Sequence, residues 1–219
     1  MKRVVLIAAL SALSIPAYAD TTVNAKLSTL GFGLEAALPM TQTIDARIGF
    51  NTYSYGYNKA ITSSGNTTDF NGNLKLQSLQ ALADWHPWEG SFRVSGGLAY
   101  NNNKFDMKAT PSGGSINVGG VPYPTPAGAS VNATIDFNKV APYLGIGWGR
   151  TQKNTGLSFT SDIGILFQGT PNSSITTTGI SDPSGTLATD TTKANADMKD
   201  ALKNFKMYPV ISIGIGYTF

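Results

Sequence analysis

Ile211-Ser212-Ile213-Gly214-Ile215-Gly216-Tyr217-Thr218-Phe219 ends the sequence, and its alternation is unbroken. Odd positions are large and apolar; even positions are serine, glycine or threonine. A period of two belongs to a β-strand, whose side chains point to opposite faces in turn. A soluble sandwich fills its interior with the bulky face and turns a polar face to water. Here the second face is made of the smallest residues, which suit a crowded interior. The bulky face is left to point outward.

The same code recurs upstream. Leu30, Phe32, Leu34, Ala36 and Leu38 oppose Thr29, Gly31, Gly33, Glu35 and Ala37. Ile44, Ala46, Ile48 and Phe50 oppose Asp45, Arg47, Gly49 and Asn51. Phe92, Val94, Leu98 and Tyr100 oppose Arg93, Ser95, Gly97 and Ala99. Val140, Leu144, Ile146 and Trp148 oppose Tyr143, Gly145, Gly147 and Gly149. Leu157, Phe159, Ile163, Ile165 and Phe167 oppose Ser158, Thr160, Asp162 and Gly164. A further run, Asn73 to Trp85, changes phase near Ser78, which predicts a bulge. Bulky-out, small-or-charged-in is the pattern of a transmembrane barrel, where lipid takes the apolar face. The runs are about ten residues long, the length a tilted membrane strand needs. Closure is demanded as well, because an open strand edge in lipid leaves backbone donors unsatisfied. The expected fold class is therefore all-β: a closed antiparallel transmembrane β-barrel. A soluble antiparallel β-domain is the competing reading of the same alternation.

Composition agrees. Of 219 residues only 13% are charged, 24 are glycine and none is cysteine. A coiled coil, an acidic disordered chain, a disulfide framework and a thiolate metal site are excluded. No later stretch offers 18 consecutive apolar residues, so no helical span is expected. At the N-terminus, Lys2 and Arg3 precede an apolar run from Val4 to Leu13, and Ala17-Tyr18-Ala19 fits a small-x-small cleavage pattern. Residues 1–19 read as a signal peptide and residues 20–219 as the barrel domain. Lys2 and Arg3 belong to sixteen basic residues set against thirteen acidic ones. Once they are removed the chain is nearly neutral, and no nucleic-acid surface is expected.

Seven strands emerge, and a closed antiparallel barrel needs an even number. Short connections (Pro39–Thr43, His86–Gly90, Arg150–Asn154) alternate with long ones (Lys59–Thr68, Lys108–Asn132, Thr170–Lys206). Asp20–Lys26 is too short for a crossing of ordinary length. Ser173–Ser181, which alternates weakly, is taken as the eighth strand, at the expense of the loop-length asymmetry usual in bacterial barrels. Lys108–Asn132, with four prolines, reads as an irregular surface spacer rather than a ligand-binding or adhesive loop. Thr191–Phe205 has helical spacing, with Ala194, Met198, Ala201, Leu202 and Phe205 on one stripe. This short amphipathic helix before the last strand lies either at a membrane interface or over the barrel mouth.

Trp85, Trp88, Phe92, Trp148, Tyr217 and Phe219 stand near strand ends, where aromatic girdles meet lipid headgroups. The terminal Tyr217-Thr218-Phe219 resembles the C-terminal assembly signal of Gram-negative outer-membrane proteins. With Asp84-Trp85-His86-Pro87, Phe92-Arg93-Val94-Ser95-Gly96-Gly97-Leu98 and Ala141-Pro142-Tyr143-Leu144-Gly145, the chain resembles the small outer-membrane β-barrel superfamily of OmpA-like, OmpX-like and OmpW-like proteins. That resemblance implies an outer-membrane location, outer-membrane lipid and the barrel-assembly machinery as partners, and a monomer. No peptidoglycan-binding domain follows the barrel, so the two-domain OmpA plan is not expected.

The inward charges are the candidate site: Glu35, Asp45, Arg47, Arg93 and Asp162. Ionised groups in a narrow interior must be paired. Glu35 and Asp45 flank one turn with Arg47 close by, so Arg47 is expected to be held by Glu35 or Asp45. A salt-bridged plug is the expected role, and a gate over a narrow pore the sharper one. His86, the single histidine, sits among aromatics and reads as an interfacial turn residue rather than a catalyst. One histidine and no cysteine make a weak ligand set, so no metal or cofactor is expected. Three functions follow, in this order: a structural or interaction barrel, a conduit for small or apolar molecules, and an envelope enzyme.

Overall fold

A computed structural model describes residues 20–63, 66–150 and 155–219. The expected signal peptide, residues 1–19, lies outside the described residues. The strands are β1 (Thr22–Ser28), β2 (Gly31–Pro39), β3 (Ile44–Ser63), β4 (Asn66–Trp85), β5 (Phe92–Asn101), β6 (Lys104–Pro111), β7 (Ser115–Val118), β8 (Val121–Pro124), β9 (Ser130–Asp136), β10 (Val140–Trp148), β11 (Gly156–Phe167), β12 (Asn172–Thr178) and β13 (Met207–Thr218). One helix, α1 (Leu187–Leu202), precedes β13.

Eight strands close a hydrogen-bonded ring in the order β1-β2-β3-β4-β5-β10-β11-β13, every pair antiparallel. The strand number matches the expectation, but the eighth strand is not Ser173–Ser181. It is β1, from the segment set aside as too short. β1 is only seven residues long, yet it pairs along its whole length with β2 on one side and β13 on the other. The backbone bonds Asp20 N to Phe219 O and Phe219 N to Thr21 O carry the closure two residues further. Its alternation is the common code in short form, with Thr22, Asn24 and Lys26 buried inward.

This assignment also restores the loop asymmetry. Asp20, Phe219, the turns β2–β3 and β4–β5, the end of β10 and the start of β11 lie at one end of the ring. The long connections lie at the other, where the β1–β2 turn, Thr29-Leu30, is the only short one among the described residues. Gly31 follows that turn with φ of 102°, in the left-handed region glycine tolerates. A side chain there would strike the backbone of Thr52 and Cβ of Tyr53.

The long connections are more ordered than expected. Lys59–Thr68 is not a loop: β3 and β4 run on as twenty-residue strands in one uninterrupted register, Ile44↔Trp85 to Ser63↔Asn66. No bulge interrupts Ser78. The side chains keep one phase throughout β4, and what changes is the polarity of each face. Within the ring, Leu79, Ala81, Ala83 and Trp85 point out while Ser78, Gln80 and Asp84 point in. Beyond it, Asn73 and Lys75 point out while Leu74 and Leu76 point in. An outward face that turns from apolar to polar along one strand marks the place where its solvent changes.

Beyond the ring, β4 exchanges β5 for β6. Asn101-Asn102-Asn103 bridges the switch: Asn102 N donates to Gln77 O (2.8 Å), and Gln77 N to Asn103 Oδ1 (2.9 Å). The upper sheet then runs β3-β4-β6-β9-β12. Ser173–Ser181 is thus the source of β12, outside the ring. Lys108–Asn132, expected to be irregular, supplies the end of β6, the β7–β8 hairpin and the start of β9. The helix begins and ends earlier than Thr191–Phe205. It packs against β12 and the β7–β8 hairpin rather than lying on the ring, with Tyr123 Oη donating to Asp190 Oδ2 (2.5 Å) and Ser173 Oγ to Asn195 Oδ1 (2.9 Å).

Around the ring, bulky side chains form a continuous outward belt. Phe159, Leu157, Ile213 and Phe32 are 76%, 69%, 62% and 61% exposed. At the short-turn end Trp88 packs at a tilt against Phe92 (5.2 Å), while Phe92 meets Trp148 (5.7 Å) and Tyr217 meets Phe219 (5.1 Å) edge to face. The conventional core is small and sits inside the ring: Leu30, Leu82, Ala99, Ala141, Tyr143, Leu166 and Val210.

Candidate functional site

The interior of the ring has two layers. The first is ionic. Arg47 on β3 is 2% exposed and meets three carboxylates. Its Nη2 donates to Asp84 Oδ1 (2.9 Å), and its Nε lies 2.6 Å from Asp84 Oδ2 in an ion pair. Its Nη1 reaches Glu35 Oε1 (3.3 Å) and Asp162 Oδ2 (3.2 Å), and Nη2 also donates to Ser95 Oγ (3.0 Å). Arg93 holds the other oxygen of Asp162 through Nη2 (2.8 Å) and Nε (3.2 Å), and its Nη1 donates to Gly149 O (2.8 Å). Lys26 closes the cluster on Glu35 Oε2 at 2.7 Å.

Three cations, Lys26, Arg47 and Arg93, thus face three anions, Glu35, Asp84 and Asp162. The cluster is neutral as a whole, which the cost of burying ions requires. Neutral donors and acceptors complete it. Ser95 donates to Asp84 (2.6 Å), Ser212 to Asp162 (3.1 Å), and Asn51 to Ser78 and Gln80 (3.2 Å each). The inward glycines make the room. A side chain at Gly147 would meet Asp162 Oδ1 and Arg93 Nε, and one at Gly33 would meet Asn51 and Lys26. At the short-turn end, a cavity of about 10 Å³ lined by Thr22, Asn24, Asp45 and Arg93 has room for a single water.

The second layer is apolar. Leu30, at the tip of the β1–β2 turn, is 1% exposed and folds inward onto the cluster with Leu82, Tyr143, Leu166 and Val210. Its amide donates to Ser28 Oγ (3.2 Å), and Tyr208 Oη donates to Thr29 O (2.6 Å), pinning the turn over the opening.

All five expected inward charges are buried. Glu35, Arg47, Arg93 and Asp162 come together in the cluster. The expected partnership of Arg47 holds for Glu35. Asp45 instead receives Nε2 of His86 at 3.2 Å. Asp45 sits at the start of β3, level with the β4–β5 turn, so the turn histidine reaches it first. His86 is fully buried, and its Nδ1 faces the carbonyls of Gly90 (3.0 Å) and Phe92 (3.1 Å). It is a buried turn clamp, not an interfacial residue. Lys26 and Asp84 escaped sequence reading. Lys26 lies on the strand judged too short, and Asp84 lay beyond the supposed phase change; strict alternation from Ser78 through Gln80 and Leu82 would have placed it inward. Tyr217 and Phe219 flank the closing pair Thr22↔Thr218, outside the ring.

No family model matches the chain, and no curated protein matches it. Solved structures do. The crystal structure of Acinetobacter baumannii CarO aligns over 90% of this chain and 97% of its own, at 19% identity and a TM-score of 0.55. That of Acinetobacter baumannii CarO2 aligns over 91% and 98%, at 19% identity and a TM-score of 0.57. What is shared is the fold, an antiparallel sheet closed into a ring.

Proposed function

We propose that the chain is an integral outer-membrane β-barrel with a sealed interior and a structural or interaction role, holding its upper sheet at the cell surface. The observation that carries this reading is the neutral six-ion cluster around Arg47, roofed by Leu30. The interior of an eight-stranded barrel is narrow enough for side chains to fill, and here they fill it. The outward belt supports the membrane: apolar surface on this scale has no stable place in water. By the usual asymmetry of bacterial barrels, the end with short turns, Asp20 and Phe219 is periplasmic and the upper sheet external. Catalysis finds no support, since both ring nitrogens of the single histidine already face partners.

Planar-bilayer recording on refolded wild-type protein tests the seal. No steady single-channel current is expected. A stable conductance in the wild type would replace this reading with a conduit for small molecules.

Outer-membrane lipid and the assembly machinery are the partners this reading requires. Phe219 is 56% exposed beside Tyr217, which supports a role in recognition over one in packing. Phe219→Ser should therefore lower the amount of assembled barrel in cells while leaving the unfolding of purified, refolded protein nearly unchanged. Equal assembly of the two proteins would remove the terminal aromatic from the reading.

A further inference from the structure

β3 is paired on one edge by β4 along its whole length, but β2 covers its other edge only as far as Thr52. From Tyr53 onward no described strand pairs with that edge. Unpaired strand edges of this length invite another strand, and proteins usually blunt them with charges, proline or bulges. Residues 53–61, Tyr-Ser-Tyr-Gly-Tyr-Asn-Lys-Ala-Ile, carry one charge and no proline. Tyr53, Tyr55 and Tyr57 stand on one face, 38%, 54% and 49% exposed.

We propose that this edge pairs antiparallel with the same edge of a second copy of the chain, about a twofold axis at Tyr57. The segment is self-complementary in that register. Tyr57 meets itself, Tyr55 meets Lys59, and Tyr53 meets Ile61. On the opposite face Gly56 meets Asn58 and Ser54 meets Ala60. Aromatic–aromatic and aromatic–β-branched pairs are favourable cross-strand neighbours, and the lysine lies over a tyrosine ring rather than another lysine. The twofold axis of an antiparallel pair is perpendicular to the sheet. β3 leaves the ring pointing away from the membrane, so that axis turns the second barrel end over end. The two copies then sit in facing membranes. This contact rests on the outer-membrane reading above and specifies its interaction role; it departs from the monomer expected by resemblance. One strand pair is weak, but many between two surfaces act together.

The absence of native cysteine makes the test direct. Residues opposed across an antiparallel pair have Cα atoms about 4.5–5.5 Å apart, within disulfide reach. Under mild oxidation of refolded protein, Tyr57→Cys should give a disulfide dimer. Ser54→Cys should not, because its copy is displaced by six residues, about 20 Å. Gly56→Cys, where a side chain enters open space, should cross-link to Asn58→Cys when the two proteins are mixed. Wild-type proteoliposomes carrying two dyes should cluster, and Ser54→Lys with Ala60→Lys, which sets like charges opposite each other, should disperse them. Equal cross-linking at 54 and 57, or none at 57 and none in the mixture, overturns the proposal. So does binding of a synthetic 53–61 peptide by protein that never forms the Tyr57 disulfide, since the edge then takes a foreign strand. Each variant is first checked for the heat-modifiable gel mobility of a closed barrel. Loss of that mobility in the wild type would count against the outer-membrane reading instead.

Discussion

Arg47→Ala is expected to lower the stability of the folded barrel by about 3–5 kcal/mol, the cost of stripping a buried ion cluster of one partner. Among the described residues the guanidinium is the only group shared by Glu35, Asp84 and Asp162. Without it, Glu35 retains Lys26 and Asp162 retains Arg93, while Asp84 keeps only Ser95 and a distant Arg93 Nε at 3.8 Å. The surplus negative charge therefore settles on Asp84. Removing that carboxylate as well, in Arg47→Ala with Asp84→Ala, leaves two ion pairs in balance and should recover more than half of the loss. Denaturant unfolding of the refolded barrels measures both. If the single variant unfolds like wild type, or the double variant is less stable than the single, the cluster is not held by charge balance. Bilayer recording of the same proteins reads the seal. Current should appear in Arg47→Ala and persist in the double variant, which restores the balance of charge but removes still more of the plug.

Leu30→Ala should cost about 2–5 kcal/mol, the range for truncating a buried leucine where the surroundings cannot collapse. Collapse is limited here because Leu30 is carried on a two-residue turn between strands locked in register, and it belongs to a buried apolar cluster whose other members come from five strands, β4, β5, β10, β11 and β13. The ionic layer beneath it is untouched, so the variant isolates the roof from the plug. Its unfolding midpoint should fall while bilayers stay silent. Steady current from Leu30→Ala alone would show that the roof, and not the ionic cluster, closes the barrel.

Much of this was legible in the sequence because the environment is so one-sided. A strand with lipid on one face and a narrow interior on the other has little choice at each position. Ile211–Phe219, Phe92–Tyr100 and Val140–Trp148 therefore state their two faces outright, and Glu35, Arg47, Arg93 and Asp162 are visible as inward charges. Where the environment changes, the same rule misleads. On the outer-membrane reading Asn73–Trp85 crosses from water to lipid along a single unbroken strand, and the resulting switch of polarity looks like a slip of phase. That hid Asp84, the strongest partner of Arg47.

The sequence alone determined the class of fold, the even strand number and four of the six ions of the interior cluster, Glu35, Arg47, Arg93 and Asp162, because alternation is a local property. Only the tertiary structure decided which seven-residue segment closes the ring, since β1 is too short to declare itself and gains its standing from β2 and β13 together. It also decided which carboxylates share Arg47. Those partners come from β2, β4 and β11, brought together by the curvature of a closed ring that no spacing along the chain records.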